Sequence, residues 1–149
     1  MTAPLPPLPR DQRKIDADNL NLLAIFHFVG AALALVGILF LVAHYFLMHA
    51  VMTNPKMFEN QKQPMPMTPE QMFAIFKWFY LAMGLWFVAS AIMNLVSGLF
   101  LRARKNRTFS LVVAGIDCLH LPLGTVLGVF TLVVLSRESV KELYAAGGK

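Results

Sequence analysis

Cysteine is almost missing from this chain: Cys118 is the only one among 149 residues. A single thiol forms no internal disulfide and falls well short of a structural zinc set, so Cys118 reads as a small buried apolar group. Charge is scarce as well. Only 14% of the residues are Asp, Glu, Lys or Arg, against roughly 25% in soluble domains, and an ordinary water-soluble domain is disfavoured. Catalytic signatures are also lacking. The sequence contains no GxxxxGKS/T, GxSxG, HExxH or CxxC, and no pair of acids set to act as general acid and base. The GTVLG run at 124–128 lacks the lysine of a phosphate loop. No enzymatic role and no cofactor are expected.

What the chain has in abundance is apolar length. Hydrophobic residues make up 57% of it, bunched into long blocks separated by short polar stretches, the pattern of a polytopic membrane protein. Residues 20–52 contain no charged side chain other than histidines. As a helix they would extend about 48 Å against a hydrocarbon core of about 30 Å, so the helix must tilt or project. Prolines 55, 64, 66 and 69 break the next segment. Thr68-Pro69-Glu70-Gln71 then offers an N-cap threonine, a proline at the first helical position and a glutamine at the third. A second helix is expected over 69–103. Its aromatic cluster, Phe73, Phe76, Trp78, Phe79 and Tyr80 around Lys77, resembles an interfacial belt with a snorkelling lysine.

The last apolar stretch, 108–135, suits one kinked span or two short helices hinged at Leu121-Pro122-Leu123-Gly124. Charge placement decides between them. Three Lys/Arg lie in the N-terminal tail, four at 102–107 and three after Leu135, against two in the first loop. The positive-inside rule puts the first three groups on the cytoplasmic side, which requires an even number of crossings. The expectation is therefore an all-α, integral membrane four-helix bundle over 20–144, with helices near 20–52, 69–103, 107–121 and 123–144. The last two form a short hairpin that either crosses or dips into the bilayer. At the hinge, Pro122 removes the partner of the Cys118 carbonyl and Gly124 is free to adopt positive φ.

Residues 1–19 carry Pro4, Pro6, Pro7 and Pro9 with Arg10, Arg13 and Lys14 and read as a disordered cytoplasmic tail. The PLPPLP run also suits a polyproline II ligand. The apolar block that follows is too long for the core of a signal peptide, about 7–15 residues, so the tail is expected to be retained. Residues 145–149 read as a flexible C-terminus. The formal charge of +5 does not mark a nucleic-acid face, because the basic residues sit at the ends of the apolar blocks.

Packing faces in lipid are marked by small and polar residues. Such stripes occur at His27, Gly30, Ala34 and Gly37; at Ser90, Asn94, Ser97 and Gly98; at Ser110, Ala114, Asp117 and Cys118; and at Gly124 and Gly128. Asp117 stands out, because an acid in an apolar helix needs a partner or a pathway. Counted from the cytoplasmic ends, His27, Asn94 and Asp117 lie roughly 10–14 Å deep, so they can meet. His120, three residues beyond Asp117, is the alternative partner. The cluster reads as a hydrogen-bonded clasp or as a path for protons or a cation.

His44, Met48, His49 and Met52 lie within about two turns, and Met57, Met65, Met67 and Met72 follow. Thioethers with imidazoles suit copper(I), yet methionine also fills space and the spacing sets no coordination geometry. No metal site is expected, with copper as the alternative. His44 and His120 would be the pair to test for haem ligation.

The run from Arg107 to Tyr144 contains Asp117-Cys118, Pro122-Leu123-Gly124-Thr125-Val126-Leu127-Gly128, Phe130-Thr131 and Val134-Leu135. It resembles the closing segment of a family of small bacterial four-helix integral membrane proteins of uncharacterised function, which carry a PxGTxLGxxT turn before the last helix. The stretches 21–27 and 76–80 are similar to that group too. The resemblance implies a bacterial inner-membrane origin and the four-helix layout, and no activity. The functional expectation is an accessory or structural subunit that packs against other membrane chains or itself, within the lipid bilayer and without nucleic acid. The alternative is a homo-oligomeric channel or transporter using Asp117, Asn94 and His27. A reporter fused after Lys149 should show cytoplasmic-type activity, whereas periplasmic-type activity would favour three crossings.

Overall fold

The structure, a computed structural model, describes residues 10–54, 56, 58, 59 and 66–147, excepting the side chains of Arg10 and Asp11. The PLPPLP run, Pro55, Met57, Pro64, Met65 and the last two residues of the chain lie outside the described residues. Among the described residues the architecture is all-helical, with five helices where four were expected: α1 Arg10–Met52, α2 Pro69–Ala103, α3 Arg107–Asp117, α4 Leu123–Ser136 and α5 Glu138–Gly147. Two stretches, Gln12–Met52 and Pro69–Ala103, are long and apolar enough to cross a membrane, and a third qualifies if α4 and α5 count as one bent span. With 11 and 14 residues, α3 and α4 reach about 16 and 21 Å and fall short of a 30 Å core singly.

Three boundaries differ from expectation for physical reasons. First, α1 begins at Arg10, so residues 10–19 are helix and not disordered tail. Extending a helix that already exists avoids the cost of nucleation. Asp16 is fully buried, with Gln12 Nε2 donating to Oδ1 at 3.3 Å and Arg137 Nη1 at 3.6 Å from the same atom. Second, α3 stops at Asp117 instead of 121, because the residue before a proline disfavours helical backbone, and turn bonds follow from Leu119 N to Ile116 O and from His120 N to Asp117 O. The Leu121–Pro122 peptide is cis. Third, the expected helix 123–144 breaks at Arg137, which is extended, and α5 departs at 74° and continues to Gly147. The break is filled from outside: Arg107 Nε donates to the Leu135 carbonyl at 2.8 Å, supplying one of the donors that a helix end lacks.

The contacts fall into two units, Met1–Ala31 with Ile92–Lys149, and Ala32–Ala91. The first unit is built on buried Leu20, Leu23, Ala24, Leu101, Val134, Leu135 and Val140. Its α2–α3 turn closes by bonds from Lys105 N to Phe100 O and from Arg104 N to Leu101 O, the paired pattern of a Schellman motif, with Arg104 left-handed at φ 53. In the second unit α1 and α2 run antiparallel, with Gly37 against the Phe87 ring and Leu41 against Gly84. At the start of α2, Thr68 N donates to Gln71 Oε1 and Gln71 N to Thr68 Oγ1, forming the capping box written in the sequence.

The α3–α4 hairpin depends on close approach. Gly124 does not take positive φ, contrary to expectation. It is helical, and a Cβ there would strike the His120 side chain and lie 2.7 Å from the Asp117 carbonyl. A Cβ on Gly128 would strike the Ala114 carbonyl and come within 2.7 Å of Cys118 Sγ. The carbonyl of Cys118, which Pro122 cannot serve, accepts instead from Thr125 Oγ1 at 2.9 Å. Gly128→Leu should therefore lower unfolding stability in detergent by about 2 kcal/mol or more, an overpacking cost. Gly115→Ala meets nothing within 4 Å and should be neutral or mildly stabilising by the same measurement.

Candidate functional site

A buried line of polar side chains crosses the first unit. His27 is placed by the face of α1 that carries Asp16, Leu20, Leu23 and Ala24, all buried, so its ring points into the packed interior and has to find partners there. Asn94 of α2 supplies one. Its Nδ2 donates to Asp117 Oδ1 at 2.9 Å, and its Oδ1 lies 2.8 Å from His27 Nδ1. A carboxylate only accepts, so the amide nitrogen faces Asp117 and the amide oxygen faces the histidine, which must carry its proton on Nδ1. In the neutral ring the other nitrogen, Nε2, is then an acceptor, and the Thr131 hydroxyl of α4 lies 3.4 Å from it. Donors thus run in one direction, from Thr131 through His27 and Asn94 to Asp117, joining α4, α1, α2 and α3. All four side chains are buried, where chained hydrogen bonds of one sense reinforce one another.

Gly30 makes this possible. A Cβ on it would come within 3.2 Å of Asn94 Oδ1, so the glycine one turn along from His27 leaves room for the carboxamide to lie against α1. Gly98, one turn along from Asn94, lets Phe28 and the Ala24 carbonyl approach α2. Asp117 has a second oxygen, Oδ2, that takes no hydrogen bond among the described residues and lies 3.6 Å from His27 Nδ1. His120 Nδ1 is 3.9 Å from Asp117 Oδ1, so the carboxylate has a histidine on either side, and Asn94 is the one at hydrogen-bond distance. The arrangement can hold four helices in register and can hold a proton at Oδ2.

Among the other small residues, Ser97 and Ser110 are fully buried in the same unit, and Ala114 lies under Gly128. Ala34, Gly37 and Ser90 belong to the second unit, where Ala34 and Ser90 are buried. The candidate copper residues are there too. His44 Nδ1 is 2.6 Å from the Tyr80 hydroxyl and its ring stacks on Phe40, while His49 stacks on Tyr45 and meets Phe73 edge-on. Met48 and Met52 are half-buried. Among the described residues no group of three or more His, Cys, Asp or Glu is placed to hold a metal ion. His120 belongs to the first unit and His44 to the second.

Two parts of the site escaped the sequence reading. Thr131 continues the face of Gly124 and Gly128 at helical spacing, which is the signal that marks it. Asp16 precedes Leu20 by four residues, so the buried stripe of α1 extends one turn into the segment taken as tail. Comparison with protein-family models, with curated proteins and with solved structures finds no match to this chain.

Asn94→Leu removes its hydrogen bonds to His27 and to Asp117 at once. With each buried polar group left unsatisfied costing about 1–3 kcal/mol, the variant should lose about 2 kcal/mol or more in a denaturation titration. Asp117→Asn, which keeps an acceptor oxygen for Asn94, should lose much less; equal losses would show that the charge, and not the hydrogen bond, holds the helices.

Proposed function

We propose that this is a multi-pass protein of a bacterial inner membrane, with both termini cytoplasmic, that works without catalysis as an accessory or structural subunit. Its α1 and α2 cross the bilayer, and α3 and α4 enter it as a hairpin from the cytoplasmic side, completing a four-helix membrane bundle. One observation carries the reading: the Thr131, His27, Asn94 and Asp117 chain links four helices through side chains buried within the fold, which is how polar side chains knit helices that have no water to turn to. The surroundings agree. Exposed side chains on α1, α3 and α4 include Ile25, Phe26, Val29, Val112, Val126 and Phe130, a lipid-like exterior over a polar interior. The hairpin tip is apolar too, with Leu119, Leu121 and Leu123 all exposed, and its backbone carbonyl at Cys118 is served internally by Thr125, as a turn inside hydrocarbon requires. Partners are other membrane chains or further copies of this one, and nucleic acid is not among them.

Asp117 Oδ2 supports a second reading. A buried carboxylate oxygen that takes no hydrogen bond among the described residues suits a homo-oligomeric channel or transporter in which Asp117, Asn94 and His27 handle a proton or cation. The mass of the natively expressed protein in mild detergent or lipid discs separates the two. Co-purifying membrane chains at fixed stoichiometry are expected. A solitary 16.6 kDa chain would overturn the subunit reading. A pure homo-oligomer whose reconstituted flux falls on Asp117→Asn would replace it with the channel.

A further inference from the structure

The second unit carries a groove that the polar chain does not use. It lies between the antiparallel segments of α1 and α2 and encloses about 690 Å³. Ile38 and Phe46 bound it on α1, and Lys77 and Val88 bound it on α2, with Gly84 forming its floor beside Leu41. Its lining is apolar except at the Lys77 end, where Tyr45, Trp78 and Tyr80 gather. From Lys77 to Val88 the helix advances about 16 Å, half of a 30 Å hydrocarbon core and so the depth of one leaflet. Aromatic rings with polar tips at one end and aliphatic walls below match the passage from headgroups to acyl chains.

Lys77 identifies what fills it. Its ammonium is exposed and pairs with no acid among the described residues. Among the described residues no other charged side chain lines the groove. A lone cation at the headgroup level of a slot one leaflet deep calls for an anion that carries a hydrocarbon chain. We propose that the groove binds one anionic phospholipid, in the leaflet nearer the α1–α2 connection, with its phosphate on Lys77 and an acyl chain along Gly84, Leu85 and Val88. Gly84 is the position that admits the chain: a Cβ there would meet only Leu41, at 3.6 Å, so a larger side chain would occupy the slot without colliding with backbone.

The inference rests on the reading of α1 and α2 as membrane spans, and the experiment tells the two apart. The full chain is reconstituted in discs of phosphatidylcholine containing a minor fraction of phosphatidylglycerol, released into mild detergent, and retained lipid is counted by native mass spectrometry. Preferential retention of one phosphatidylglycerol per chain is expected. Lys77→Gln should weaken retention roughly fivefold, the worth of about one cationic contact at a membrane surface, and Gly84→Leu should abolish it. Both sites are open enough for the helices to persist, which thermal unfolding of each variant checks. Incorporation with equal retention of both lipids, or no response to either variant, overturns the lipid site and leaves the membrane reading standing. A doubled mass that Gly84→Leu halves would show a second copy in the groove and overturn the lipid site as well. A chain that stays soluble without detergent or bilayer overturns both.

Discussion

Asn94 is the side chain on which the interior of the first unit depends, because it presents an acceptor to His27 and a donor to Asp117 at the same time. Neither of those two can bond the other as Asn94 does: His27 Nδ1 stands 3.6 Å from the carboxylate, beyond a good hydrogen bond. The primary amide has two faces of opposite polarity at a fixed separation. It therefore dictates which nitrogen of His27 holds the proton and leaves Nε2 to Thr131. Gly30 on α1 and Gly98 on α2 serve the same end, since the helices must come close for a short side chain to span them.

Small residues in this protein act by proximity more than by flexibility. None of the described glycines takes positive φ, yet Gly124 and Gly128 each sit where a methyl group would strike α3. The left-handed positions fall instead on Arg104 and Asn106, in the polar turn between α2 and α3. Thr125 shows how the hairpin manages the proline: the hydroxyl three residues on donates to the carbonyl that Pro122 leaves unserved. Proline, glycine and threonine in that order thus form one device, in which the first removes a bond, the second lets α4 close on α3 and the third restores the bond.

Much of this was legible in the sequence. The two long helices follow from apolar length, the start of α2 from Thr68-Pro69-Glu70-Gln71, and the convergence of His27, Asn94 and Asp117 from equal depth. The departures share a cause. Residues 10–19 look disordered when weighed by their own composition, but Asp16 finds Arg137, a partner 121 positions away, and no local property announces it. The break at Arg137 is equally remote in origin, since the Leu135 carbonyl is served by Arg107 from another helix. Gly124 was misread because positive φ and close packing both favour glycine, and only the neighbour's position separates them.

The Asp16–Arg137 pair also has a bearing on biosynthesis. Asp16 leaves the ribosome 121 residues before Arg137, an interval of roughly 6–24 s at ordinary translation rates. Throughout that time α1 presents this carboxylate without its final counter-ion, in the charged turns that precede its apolar length. The N-terminal turns of α1 therefore reach their final environment only after α4 has been made. Closure of the fold waits on the last fifth of the chain.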